Sequence, residues 1–222
     1  MKNLRCLLGA VALMLVLPVH AGIVTVDGDN VRFTYDDSTL YGTATVVGDS
    51  IFFQPTNFRA ESLNGAGPVS VSEMLTVRVE VLTAGFWLDE FALLEQGDYF
   101  LNGAGASVSA GGSFEVASNL SAFSDSNATS AGALATQGVT TEWTIESNIK
   151  LTDTVGWFGD FDVDVSIDND LIAETLASGE EAWIQKKFGG VGLSVTAVPV
   201  PAAAWLFMSA LGMMGGLRRL RG

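Results

Sequence analysis

The chain reads as an all-β protein, an antiparallel and jelly-roll-like β-sandwich with a single C-terminal transmembrane helix. Three observations predict this. Apolar residues recur at every second position in one segment after another, glycine-bearing turn signals separate those segments, and uncharged apolar runs lie at both ends of the 222 residues. Strands buried on one face need the first, tight turns need the second, and export and anchoring account for the third.

Residues 1–21 form an export signal. Lys2 and Arg5 supply a positive start, Cys6 to Leu17 is a short apolar stretch, and Pro18 breaks it. Val19-His20-Ala21 before Gly22 is a small-x-small cleavage pattern, so signal peptidase is expected to cut between Ala21 and Gly22.

Residues 22–197 form one domain, long enough for a substantial core. Within it Val31, Phe33 and Tyr35 alternate with Arg32, Thr34 and Asp36. Leu75, Val77, Val79 and Val81 alternate with Thr76, Arg78 and Glu80. Trp143, Ile145, Ile149 and Leu151 hold one phase, as do Phe161, Val163, Val165 and Ile167, and then Val191, Leu193 and Val195. Turns are expected at Asp27-Gly28, Gly48-Asp49, Asn64-Gly65, Asn102-Gly103, Gly111-Gly112 and Gly189-Gly190. Phe91 to Phe100, with Glu95, Gly97 and Asp98 inside it, reads as a shaped loop, and the Ser-, Ala- and Asn-rich Ser118 to Gly138 as a long one. Asp170 to Phe188 reads as two short strands in preference to a helix, because Gly179 interrupts the helical spacing of Ile172, Leu176 and Trp183. A transmembrane barrel would alternate too, but charges crowd the polar faces.

Composition excludes several functions. The body holds six basic residues against all 25 acidic ones, a net charge of −19. Such a field repels nucleic acid. The single Cys and single His, Cys6 and His20, leave with the signal. No thiolate nucleophile, His-based triad or His/Cys zinc site remains. Paired carboxylates could still act on a glycoside, but no strand-borne acid motif is present, and a non-catalytic role is expected.

Residues 198–222 carry the strongest pattern. Val198-Pro199-Val200-Pro201 is followed by Ala204-Trp205-Leu206, an uncharged run through Leu217, and Arg218, Arg219 and Arg221. The run spans roughly 24 Å as a helix, against a hydrocarbon core of ~30 Å. This order resembles the PEP-CTERM sorting signal of Gram-negative bacteria, a proline motif, a short transmembrane helix and an arginine-rich end. Val200 stands where the family motif has glutamate. The resemblance implies transient residence in the inner membrane and cutting near the prolines by an exosortase, a membrane protease-transpeptidase. It further implies release to the cell surface or an extracellular polysaccharide matrix. An ordinary C-terminal anchor is the plainer alternative.

Two ligand sites are expected in the body. Asp160, Asp162, Asp164 and Asp168 form its densest acidic cluster and could offer calcium its oxygen ligands, though the spacing departs from the EF-hand loop. The alternative is the solvated face of an amphipathic strand. Trp157, between Gly156 and Gly159, is the candidate platform for a sugar ring, with core packing as the competing reading. Trp143 is expected in the core, and Trp183 at the surface.

Overall fold

The computed structural model describes residues 22–199. The N-terminal signal and residues 200–222, which include most of the sorting motif and the expected transmembrane helix, lie outside them. The described residues form twelve strands: β1 Ile23–Asp27, β2 Val31–Asp36, β3 Ala44–Val47, β4 Ser50–Phe53, β5 Arg59–Leu63, β6 Gly67–Val81, β7 Phe86–Asn102, β8 Ser107–Ser118, β9 Ser124–Ser130, β10 Thr141–Lys150, β11 Asp162–Thr175 and β12 Glu181–Pro199. Every pairing between them is antiparallel.

The strands make two sheets. One has the order β1-β2-β6-β11-β8-β9, and the other β10-β7-β12-β4-β3, with β5 also on β12. Their inner faces enclose one apolar core. Val31 and Phe33 of β2, Leu75, Val77 and Val79 of β6, and Val163, Val165 and Ile167 of β11 are all fully buried, in the phase their alternation requires. The opposing sheet contributes Phe91, Leu93, Ile145, Ile149 and Ile184. Tyr35, Tyr41, Phe53 and Phe58 fill one part of the core through edge-to-face contacts.

Turn chemistry explains several connections. At Asn64-Gly65 both residues have positive φ, 56° and 79°, the geometry of a type I′ turn. That turn carries the chain from β5 in one sheet to β6 in the other. Between β11 and β12 the Glu180 carboxylate accepts hydrogen bonds from the Leu176, Ala177 and Gly105 amides at 2.9, 2.8 and 2.6 Å. These bonds hold its carboxyl below the usual carboxylate range.

Four expectations are corrected. Phe91 to Phe100 is no loop but the middle of β7, flanked by β10 and β12. Gly97 there adjoins Trp143 and the Gln185 carbonyl so closely that an added Cβ would stand 2.6 Å from the indole carbons. Gly111-Gly112 lies within β8 and Gly189-Gly190 within β12. At Gly112 the backbone of β11 comes too near for any side chain, since a Cβ would collide with the Asp168 carbonyl. At Gly189-Gly190 the β7–β12 register shifts between Lys186 and Val191, so the glycines serve a bulge. Ser118 to Gly138 contains β9, an edge strand of small and polar residues that buries only Thr129, so no apolar alternation marks it. The strand reading of Asp170 to Phe188 holds, although β11 and β12 are much longer than the short strands expected.

Candidate functional site

The most unusual chemistry lies between the sheets. β7 places Glu95 inward, β12 places Lys186 inward and β11 places Asn169 inward. All three are buried, and the Lys186 and Glu95 side chains have no exposed surface. Lys186 Nζ donates to Glu95 Oε1 at 2.9 Å, and more weakly to the Tyr41 hydroxyl at 3.4 Å. Asn169 Nδ2 donates to the other carboxylate oxygen, Glu95 Oε2. The rings of Tyr41 and Phe58 each lie 5.0 Å from Lys186 Nζ and close the cluster off from water.

The local backbone produces this arrangement. Lys186 is the last residue of β12 paired in register with β7 before the bulge, and its amide donates to the Phe58 carbonyl at 2.9 Å. Asn169 lies opposite Gly112 of β8, where a side chain on β8 would run into the β11 backbone. One acceptor remains open: Asn169 Oδ1 is buried without a hydrogen-bond partner. Burial pushes the Lys186 ammonium down to about 8, against the opposing pull of Glu95. Burial, with the Glu95 charge adding to it, pushes the Tyr41 hydroxyl well above its ordinary range.

The aspartate series is arranged differently. Asp162, Asp164 and Asp168 occupy alternate positions of β11 on its outer face, while Asp160 sits before the strand, buried. The Arg78 guanidinium takes Asp162, with Nε at 2.8 Å, and Asn119 Nδ2 reaches both Asp162 and Asp164, at 2.9 and 3.1 Å. The Arg78 hydrogen bond holds the Asp162 carboxyl below the usual range. Asp160 instead accepts from the Trp157 indole at 3.2 Å and from the Phe161 amide at 2.7 Å. Among the described residues no three acidic, His or Cys side chains are grouped to hold a metal.

Trp157 lies inside the protein, 2% exposed, its ring stacked on Phe123 at 5.7 Å. Of the two readings its sequence context allows, core packing holds and the sugar platform does not, because the flanking glycines let the loop turn the indole inward. Trp143 is in the core as expected. Trp183 is half-buried, stacked on Phe100 at 6.1 Å with the Arg59 guanidinium 4.3 Å from its ring centre.

Sequence reasoning missed Glu95, Lys186, Asn169 and Tyr41. Glu95 reads as solvated because it falls in a segment that reads as a loop, and Lys186 because a lysine on a short strand is ordinarily at the surface. The available signal was Lys186 in phase with Ala182 and Ile184, an inward series ending in a lysine.

No family profile matches this chain, and no curated protein matches it. Two solved structures show a distant likeness. One is of the infectious bursal disease virus Gx strain, with 13% identity and a TM-score of 0.37, covering 78% of this chain and 33% of that one. The other is of the Gt strain, with 12% identity and a TM-score of 0.25, covering 95% and 55%. The chain thus spans between a third and just over half of the length of these structures.

Proposed function

We propose that this is an exported, non-catalytic protein of the cell envelope or exopolysaccharide matrix of a Gram-negative bacterium, sorted by a C-terminal exosortase signal. One observation carries the reading: Val198-Pro199-Val200-Pro201, Ala204-Trp205-Leu206 and the closing arginines occur in order behind an export signal and an acidic body. The membrane helix over 202–217 and the jelly-roll-like description of the sandwich belong to this proposal. The latter is supported by the neighbours β2-β6, β6-β11 and β7-β12, which are far apart in sequence. A non-catalytic role toward outside substrates is supported by the engagement of surface acidic groups, Asp162 by Arg78 and Asp164 by Asn119.

Mass spectrometry of surface material tests the sorting. A chain starting at Gly22 and lacking Trp205 to Gly222 is expected. An intact tail on secreted protein refutes the proposal, and a tail that persists only in membranes favours a plain anchor.

A second reading, contact with extracellular polysaccharide, is favoured by Trp183, whose ring is partly exposed beside Arg59. Aromatic rings with a neighbouring donor suit sugar faces. Glycan binding that Trp183→Ala abolishes would support it, and binding unchanged by that substitution would refute it.

A further inference from the structure

The Lys186–Glu95–Asn169 cluster has the parts of a reaction. It holds a nucleophile, an electrophile and a proton carrier, joined through one carboxylate and shielded from water. Glu95 Oε1 accepts from the Lys186 nitrogen, and Glu95 Oε2 accepts from the Asn169 amide nitrogen. The carboxylate therefore touches both the group that would attack and the group that would leave. The two strands bearing them, β12 and β11, belong to opposite sheets. From this geometry we propose that Lys186 and Asn169 join autocatalytically in an isopeptide bond between the two sheets, with Glu95 as the proton-transfer residue.

The step balances without any co-reactant. Glu95 takes a proton from the Lys186 ammonium, and the freed lone pair attacks Asn169 Cγ. In the tetrahedral intermediate Glu95 returns that proton to the amide nitrogen. The Cγ–Nδ2 bond then breaks, ammonia leaves and the carbonyl re-forms. The new amide nitrogen passes its surplus proton to Glu95. An ammonium, a carboxylate and a primary amide thus become a secondary amide, a neutral carboxyl and ammonia, with five protons on these groups before and after and no net charge on either side. Nothing is oxidised or reduced.

Three observations favour the product. A buried ion pair is costly to desolvate, and the reaction replaces it with neutral groups. The unpartnered Asn169 Oδ1 gains a donor, because the protonated Glu95 can bond to the carbonyl it becomes. The depressed acidity range of Lys186 makes its neutral, nucleophilic form accessible near neutral pH. Fixing the groups on rigid strands of a packed core also supplies the orientation that such an attack needs.

The test is mass spectrometry of the purified, folded protein, with a cooperative melt recorded on the same sample. The expected intact mass is below the sequence mass of the chain by one ammonia. Digestion after glutamate separates Asn169 from Lys186 at Glu174, Glu180 and Glu181. It should yield the two peptides covalently joined, and trypsin should fail to cut after Lys186. Lys186→Met, Asn169→Ala and Glu95→Gln should each restore the full mass and the separate peptides. Full mass and separate peptides in the folded wild type overturn the proposal. So does a loss of ammonia without joined peptides, which marks a succinimide at Asn64-Gly65 or Asn102-Gly103. Joined peptides that persist in Glu95→Gln refute the role of Glu95. The inference is independent of the export proposal, since it concerns only groups inside the body.

Discussion

Gly97→Ala should destabilise the protein substantially, although it adds a single methyl group to a strand. Gly97 lies in β7 between Trp143 of β10 and Gln185 of β12, paired with Trp143 in register. Its φ is not positive, so the argument is steric. The new methyl would meet the Gln185 carbonyl well inside contact distance and the Trp143 ring at 2.6 Å, where ordinary contacts begin near 3.4 Å. Trp143 is 3% exposed and donates its indole N–H to that same carbonyl at 3.2 Å. The methyl therefore overpacks the site and displaces a hydrogen bond. Overpacking costs ~1–3 kcal/mol, and a buried hydrogen bond adds ~1 kcal/mol. The sum, ~2–4 kcal/mol, corresponds to a fall in Tm of roughly 5–15 °C for a body of this size. Thermal unfolding followed by circular dichroism measures it, and a shifted indole emission is expected alongside. A Tm within about 2 °C of wild type, with unchanged emission, would refute the close packing of Trp143 across Gly97.

Val77→Asp should abolish cooperative unfolding, because it buries an unpaired charge at a fully buried position and costs several kcal/mol of a total near ~5–15 kcal/mol. Arg78→Ala, on the solvated face of the same strand, should shift Tm by only a few degrees, and equal effects would refute the assigned phase of β6. Acid should weaken the protein through Asp162. Its folded pKa lies below its unfolded one, so its contribution is present above the ordinary carboxylate range and is lost as pH falls through the folded value. Arg78→Met should flatten that part of the Tm–pH profile, and an unaltered profile would show that the pair is not the cause. Calcium and magnesium at equal ionic strength should raise Tm alike, since Arg78 and Asn119 already occupy Asp162 and Asp164. A rise specific to calcium, lost in Asp162→Asn with Asp164→Asn, would establish the metal site expected from the sequence.

The stretches legible in the sequence are those whose inward positions are apolar without a break: Val31 to Tyr35 of β2, Leu75 to Val79 of β6 and Val163 to Ile167 of β11. β7 was obscured because its inward positions include Glu95 and Gly97 among Phe91, Leu93 and Tyr99. A charge and a glycine break the alternation on which strand reading depends, although each has a reason visible only across the fold. Glu95 meets Lys186, 91 residues away, and Gly97 makes room for Trp143. The same limit applies to the buried cluster. A lysine or glutamate is normally solvated, and only the pairing of distant strands shows that these two are not. Trp157 is ambiguous in the sequence for a related reason, because flanking glycines suit a projecting loop and an inward-turning one equally.

The position of β12 determines how the molecule meets mechanical load. A tether at its C-terminal end pulls on a strand held by β7 on one side and by β5 and β4 on the other. Antiparallel hydrogen bonds run across the strands, so tension along β12 strains many of them at once instead of peeling them singly. The N-terminal strand β1, at a sheet edge with one neighbour, has no such protection. A bond from Lys186 to Asn169 would divert the force into β11, beneath the core, before it reached the connection between those strands. The body would then resist traction at the end of β12 much better than traction at the N-terminal strand.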